Sequence, residues 1–185
     1  MQHRVSCMTF NIRRDLAEDG TNHFRFRFPL ICRTLREARP ALVCFQELMP
    51  TARRQMEEAL PDYTFVGCGR WEDYGDEACA IAFLRAELEL LSLEVFWLSQ
   101  EPDKPGSRYP GQGYFPRVCT AAVLRHRVGG APFCVYNTHL DHEQADVRLR
   151  ELRQILARIE ADRARFGARP VVLCGDFNFP PDAPE

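Results

Sequence analysis

Six side chains of this 185-residue sequence are of the types that hydrolytic and metal chemistry uses: Asn11, Glu47, His139, Asp141, Asp176 and Asn178. Position groups them, because each follows a short apolar run. Asn11 closes "SCMTF", Glu47 follows "ALVCFQ", His139 and Asp141 follow "PFCVYN", and Asp176 and Asn178 follow "VVLC". Polar residues at the C-terminal ends of buried strands are held rigidly by the sheet and face the loops through which a substrate approaches. Each alone has an ordinary reading: Glu47 as a solvated charge, Asn11 and Asn178 as turn formers, Asp176 as an Asx-turn acid. Together they match the needs of phosphate-ester hydrolysis. That reaction wants a hard cation such as Mg²⁺ or Mn²⁺ anchored by a carboxylate, a hydrogen-bonding or cationic group for the developing charge, and a second carboxylate to orient the attacking water.

The elements that would position these residues follow from periodicity. "RVSCMTF" reads as a strand, then Phe28, Ile31, Leu35 and Ala38 mark a helix that Pro40 ends, and "ALVCFQ" reads as a buried strand. "TARRQMEEAL" predicts a second helix with Thr51 as N-cap and Pro61 closing it. Strands are expected in "YTFVGCG", "ACAIAFL", "LELLSLEVFWL", "VCTAAVLRH" and "PFCVYNTHL". The Gly- and Pro-rich stretch from Ser99 to Arg117 is too long for a hairpin turn, and loops of that size are usually functional or mobile. A polar helix with Leu149, Leu152, Ile155, Leu156 and Ile159 on one face precedes a last buried strand, "RPVVLCGDF". The mixture favours one layered α/β or α+β domain over a pure sandwich or bundle.

Composition is silent on the partner. Net charge is −2, so no global basic field points to nucleic acid; the basic groupings, "RFRF" from Arg25 and the helix arginines Arg148, Arg150 and Arg153, read equally as solvated faces. The 8 cysteines include Cys7, Cys44, Cys79, Cys134 and Cys174 inside apolar runs, where buried free thiols are expected, and no CxxC pair suggests a zinc ribbon. There is no leader-like N-terminus and no run of the ~18 apolar residues a membrane span needs, so a reducing cytoplasm is the expected location. A competing metal reading rests on "NTHLDH" alone: it is similar to the His-x-His-x-Asp-His run of metallo-β-lactamase-type zinc hydrolases, but Asn137 replaces the first histidine and the run falls late in the chain.

"MTFNIRRD", "CFQEL", "YNTHLDH" and "LCGDFN", in that order, resemble the endonuclease/exonuclease/phosphatase family, and "VFWLSQEPDKPGS…FPRVCTAAVL" further resembles bacterial members of it. The resemblance covers essentially the whole chain. It implies an α/β, four-layer α/β/β/α sandwich of two packed mixed β-sheets and a metal-dependent hydrolase acting on phosphodiesters or phosphomonoesters, as nuclease, phosphodiesterase or phosphatase. By the same resemblance, Glu47 and Asn11 are the metal residues, His139, Asp176 and Asn178 the catalytic set, and Asp141 a supporting acid. Arg117, His139 and Asn178 bind the substrate phosphate, and Mg²⁺ or Mn²⁺ is the cofactor. The substrate could be nucleic acid, an inositol phosphate, a lipid headgroup or a small phosphodiester, with no obligate protein partner. Members close with a Ser-Asp-His type motif; only seven residues follow Asn178. The expectation is therefore a truncated form with an incomplete second sheet and impaired turnover, or a non-catalytic remnant that binds phosphorylated ligand.

Overall fold

A computed structural model describes residues 4–180. The first sheet has the order β1-β2-β4-β3, with β1 (Cys7–Asn11) parallel to β2 (Leu42–Gln46), and β4 (Ile81–Leu84) antiparallel to both β2 and β3 (Tyr63–Val66). The second has the order β5-β6-β7-β8: β5 (Leu88–Trp97), β6 (Val118–His126) and β7 (Phe133–His139) run antiparallel in turn, and β8 (Val171–Asp176) lies parallel to β7. Helices α1 (Phe24–Ala38) and α2 (Pro50–Ala59) cover the outer face of the first sheet, where Ile31, Leu35 and Met56 meet Val43 and Phe45. Helix α3 (Ala145–Phe166) covers the second through Leu152, Ile155 and Ile159 against Phe96 and Tyr136. Leu42, Cys44, Ile81 and Phe83 of one sheet pack on Ala122, Leu124 and Val135 of the other. These are the four layers α/β/β/α expected from the sequence.

Every residue of β2 is buried, as a strand sandwiched between a helix layer and a second sheet must be. Between the sheets sits a polar fastening. Asn137 is fully buried on β7; its Nδ2 donates to the carbonyls of Phe45 and Ala80, both at 2.9 Å, and its Oδ1 accepts from Gln46 Nε2 at 2.7 Å. The first residue of "NTHLDH" thus ties the two sheets together directly beneath the strand ends.

Four sequence expectations change. Helix α2 starts at Pro50 with Met49 as N-cap, because proline's missing N–H and fixed φ suit the first helical position; Thr51 lies inside the helix. On α3 the buried line runs Val147, Glu151, Ile155, four residues apart, and Leu156 turns outward at 47% exposure. Strand β8, at the sheet edge as expected, is only half-buried instead of buried. Cys7, on the opposite edge strand β1, is exposed; its sulfur lies with those of Cys44 and Cys174 in a group spanning at most 4.8 Å, while Cys44, Cys79 and Cys134 are buried as expected.

Candidate active site

β1, β2, β7 and β8 point the same way, so their C-terminal ends bring polar residues from both sheets to one rim. Three of the residues there have left-handed backbone: Arg13 (φ 55°), Glu47 (φ 60°) and Asn178 (φ 56°). Non-glycine residues in that region cost of the order of 1–3 kcal/mol each and persist only where surroundings over-determine them. Here each kink turns a strand end into the rim. Gly175 (φ 153°), one residue before Asp176, lies against Thr138, whose carbonyl oxygen a Cβ would strike.

Asn11 joins the two sheets. Its Nδ2 donates both hydrogens, one to Glu47 Oε1 at 2.7 Å and one to Asp176 Oδ2 at 2.9 Å, and its Oδ1 accepts from the Arg13 N–H at 2.8 Å. One amide therefore draws a carboxylate from each sheet to a common point. Its own oxygen is committed to the backbone, so in this arrangement Asn11 positions the acids and Glu47 carries the open ligand capacity. Glu47 Oε2 accepts from the Arg14 N–H at 2.7 Å. Asp176 Oδ1 accepts from the Asn178 N–H at 3.0 Å, and Asn178 Nδ2 donates one hydrogen to the Leu140 carbonyl at 2.8 Å.

His139 completes the rim, its Nε2 3.9 Å from Asp176 Oδ2 with only 11% of the side chain exposed. Burial, then the nearby Arg117 guanidinium, push its pKa down to about 4 against the pull of Asp176 and Glu47, so the imidazole is neutral at neutral pH. Arg117 is 4% exposed. Its NH2 donates to His142 Nδ1 at 2.9 Å; a guanidinium only donates, so Nδ1 of that ring carries the lone pair. Burial, and next the like charge of Arg70, lower the Arg117 pKa. Asp141 turns away from the rim. Its Oδ1 accepts from the N–H groups of Glu143 and Gln144 and its Oδ2 from Gly113, so it braces the long loop and the turn into α3.

The four candidate ligands of "NTHLDH" thus go to different partners: Asn137 between the sheets, His139 at the rim, Asp141 to backbone, His142 to Arg117. With Asn137 and Asp141 committed to backbone partners and His142 to Arg117, the run does not present one ligand set, which weighs against the zinc-hydrolase reading. Hard oxygen donors brought together by Asn11 suit a hard divalent cation better than a soft ion.

Four further residues surround the rim that sequence patterning did not single out, Arg14, Arg70, Glu77 and Phe115, which line one recess of about 250 Å³ with Glu47, Arg117, His139, His142, Asp176 and Asn178. Arg14 and Arg70 flank the Phe115 ring, their guanidinium carbons 5.4 and 4.2 Å from its centroid. Both pair with buried Glu77, at 3.1 and 2.9 Å. The one signal in the sequence was the charge density of "GRWEDYGDEA" between two strands.

A sequence profile of the Endonuclease/Exonuclease/phosphatase family matches residues 8–185. The chain belongs to this family. Among family relatives, protein angel homolog 2 of Bos taurus is 30% identical over 207 residues, which cover 97% of this chain and 35% of the relative. A mannosyl-6-phosphatase of Bacteroides thetaiotaomicron superposes with a TM-score of 0.88 at 26% identity, covering 95% of this chain and 66% of that one. ANGEL2, a 2′,3′-cyclic phosphatase solved with adenosine-2′,3′-vanadate, superposes with a TM-score of 0.76 at 26% identity, over 97% of this chain and 55% of that one. The chain spans about a third of the curated relative's length. No helix among the described residues is long and apolar enough to cross a membrane.

Proposed function

We propose that this chain carries the site of a divalent-metal-dependent phosphoesterase that hydrolyses a phosphate ester by in-line attack of water. The observation that carries the reading is the Asn11 amide, which holds Glu47 and Asp176 of opposite sheets side by side at the mouth of a recess containing His139 and Arg117. Two related structures are those of phosphatases, a mannosyl-6-phosphatase and a 2′,3′-cyclic phosphatase, which supports phosphate-ester chemistry.

Glu47 anchors Mg²⁺ or Mn²⁺, helped by Asn11, which fixes the carboxylate's direction. The ion would supply neutralisation of phosphoryl charge. Asp176, fixed by Asn11 and by the Asn178 N–H, accepts a hydrogen from the attacking water and orients it. His139 is neutral, so it hydrogen-bonds a phosphoryl oxygen without adding charge. Arg117 adds the fixed positive charge, and the second amide hydrogen of Asn178 is free for a phosphate oxygen.

Hydrolysis of an aryl phosphodiester and an aryl phosphomonoester, with and without Mg²⁺ or Mn²⁺, tests this. Metal-dependent turnover that falls at least a hundredfold in both Glu47→Ala and Asp176→Ala supports the reading. Metal-independent turnover, or turnover untouched by either change, sinks it. No turnover with phosphate binding retained would mark a binding protein without catalysis.

A further inference from the structure

The cationic side of the recess holds more than one phosphate-contacting arginine needs. Arg70 is 3% exposed, and its fork is two-thirds occupied: Nε bonds Asp76 Oδ1 at 2.7 Å and NH1 bonds Glu77 Oε2 at 2.9 Å. Its backbone is pinned as well, because the Arg70 carbonyl accepts from Trp97 Nε1 at 2.6 Å. The remaining NH2 is buried with no hydrogen-bond partner. Arg117 presents the complementary case, a guanidinium held at NH2 by His142 whose buried Nε is also without a partner. A buried donor left unmade is costly, even at Arg70, whose charge is already met by Asp76 and Glu77. Two buried guanidiniums on one recess, each with a donor unmade and Arg70 near enough to disfavour the charge on Arg117, are a site that an anion would complete.

The shape of the recess narrows which anion. Beyond Arg70 and Arg117 it shrinks to a pocket of about 10 Å³ walled by Ala78, Cys79, Pro116 and Val118, room for no more than a water. Phe115, gripped by Arg14 and Arg70, stands at one side. The deep end between the arginines and Glu47 admits phosphoryl oxygens and no ester substituent, so substituents must leave toward the open rim. A terminal phosphate also offers three equivalent oxygens and a second negative charge to an already fixed pair of planar donors.

Resting on the phosphoesterase reading above, we propose that Arg70 acts with Arg117 as a buried anion clamp that makes this site select terminal phosphates, so that its substrates are phosphomonoesters. Arg70 is thereby a specificity-determining residue, rigidified by Asp76 and Glu77.

Binding separates this from the reading it rests on. Calorimetric titration of the chain at saturating Mg²⁺ uses phenylphosphonate, a non-hydrolysable stand-in for a monoester, and methyl phenyl phosphate as the diester. The clamp predicts that the diester binds at least tenfold more weakly, and that Arg70→Lys weakens phenylphosphonate at least tenfold while changing the diester less than threefold. Lysine keeps a cation beside Asp76 and Glu77, so this variant folds where Arg70→Gln strands buried Glu77 and half-buried Asp76; near-ultraviolet circular dichroism checks it. Equal affinity for the two ligands, or phenylphosphonate binding unchanged in Arg70→Lys, overturns the clamp. Mg²⁺ titration of the ligand-free chain against Glu47→Ala tests the metal reading on its own: Mg²⁺ binding unaffected by that change refutes the metal role of Glu47 and leaves the clamp to stand or fall by the anion titrations.

Discussion

Glu151 gives the sharpest test of the electrostatics behind the site. It is fully buried on α3, its Oε2 accepts from the Asp141 N–H at 2.8 Å, and its Oε1 has no partner. Burial pushes its pKa from 4.5 up to about 8, against the pull of the Asp141 N–H and the Arg117 guanidinium. A carboxyl whose folded pKa is raised favours the folded state fully below its unfolded pKa, and that contribution is lost as pH rises toward the folded one. At about 1.4 kcal/mol per pH unit, the 2.5 units from pH 5 to 7.5 remove about 3.5 kcal/mol. Glu151→Gln keeps an acceptor for the Asp141 N–H and cannot titrate.

The intercept of the comparison is uninformative, because the glutamine NH2 inherits the unpartnered position of Oε1 and costs about 1–3 kcal/mol at every pH. The slope is diagnostic. Urea unfolding of both proteins at pH 5, 6 and 7.5 should show the variant gaining on the parent steadily, by about 3.5 kcal/mol in total, or about 1.7 M in midpoint at a slope of about 2 kcal/mol/M. Other titrations cancel in the difference. Parallel pH profiles would refute the assignment of a buried, proton-bearing Glu151.

Other outcomes follow from the same geometry. His139 has a depressed folded pKa, about 4 against 6.5, so in EDTA it should cost the fold about 3 kcal/mol as pH falls from 6.5 to 4; His139→Gln should lose that acid-side slope in urea unfolding. Gly175→Ala drives a Cβ into the Thr138 carbonyl at a left-handed backbone position, so thermal denaturation should show a loss of more than about 2 kcal/mol, with β8 parting from β7. Asn11→Leu removes the donor shared by Glu47 and Asp176 and leaves two facing carboxylates to repel; calorimetry should show Mg²⁺ affinity at least tenfold weaker, and unchanged affinity would remove Asn11 from the positioning role.

How much of this was legible in the sequence depends on what reports burial. Apolar runs announced β2, β6 and β7, and the polar residues that ended β1, β2, β7 and β8 marked a common rim, because a strand's direction and its end are both written in composition. Periodicity failed where a buried position is polar. Glu151 lies on the inward line of α3 between Val147 and Ile155, yet it reads as a solvent-facing charge, and the apolar stripe in the sequence includes Leu156 instead. Asn137 misled in the opposite direction, looking like part of a ligand run while serving to bolt the sheets together.

Apart from Arg117, the cationic half of the site escaped the sequence for a different reason. Arg70 and Glu77 sit between β3 and β4, and Phe115 sits in the long loop before β6, where no period exists to place a side chain. Their positions are set by pairing: Glu77 holds Arg14 and Arg70, and those two flank Phe115. In the proposed site the carboxylates Glu47 and Asp176 come from sheet ends, and the cations come largely from loops. If loops tune what rigid strands catalyse, exchange of Arg70 should change which phosphate ester binds and leave Mg²⁺ binding at Glu47 intact, whereas exchange of Glu47 should do the reverse.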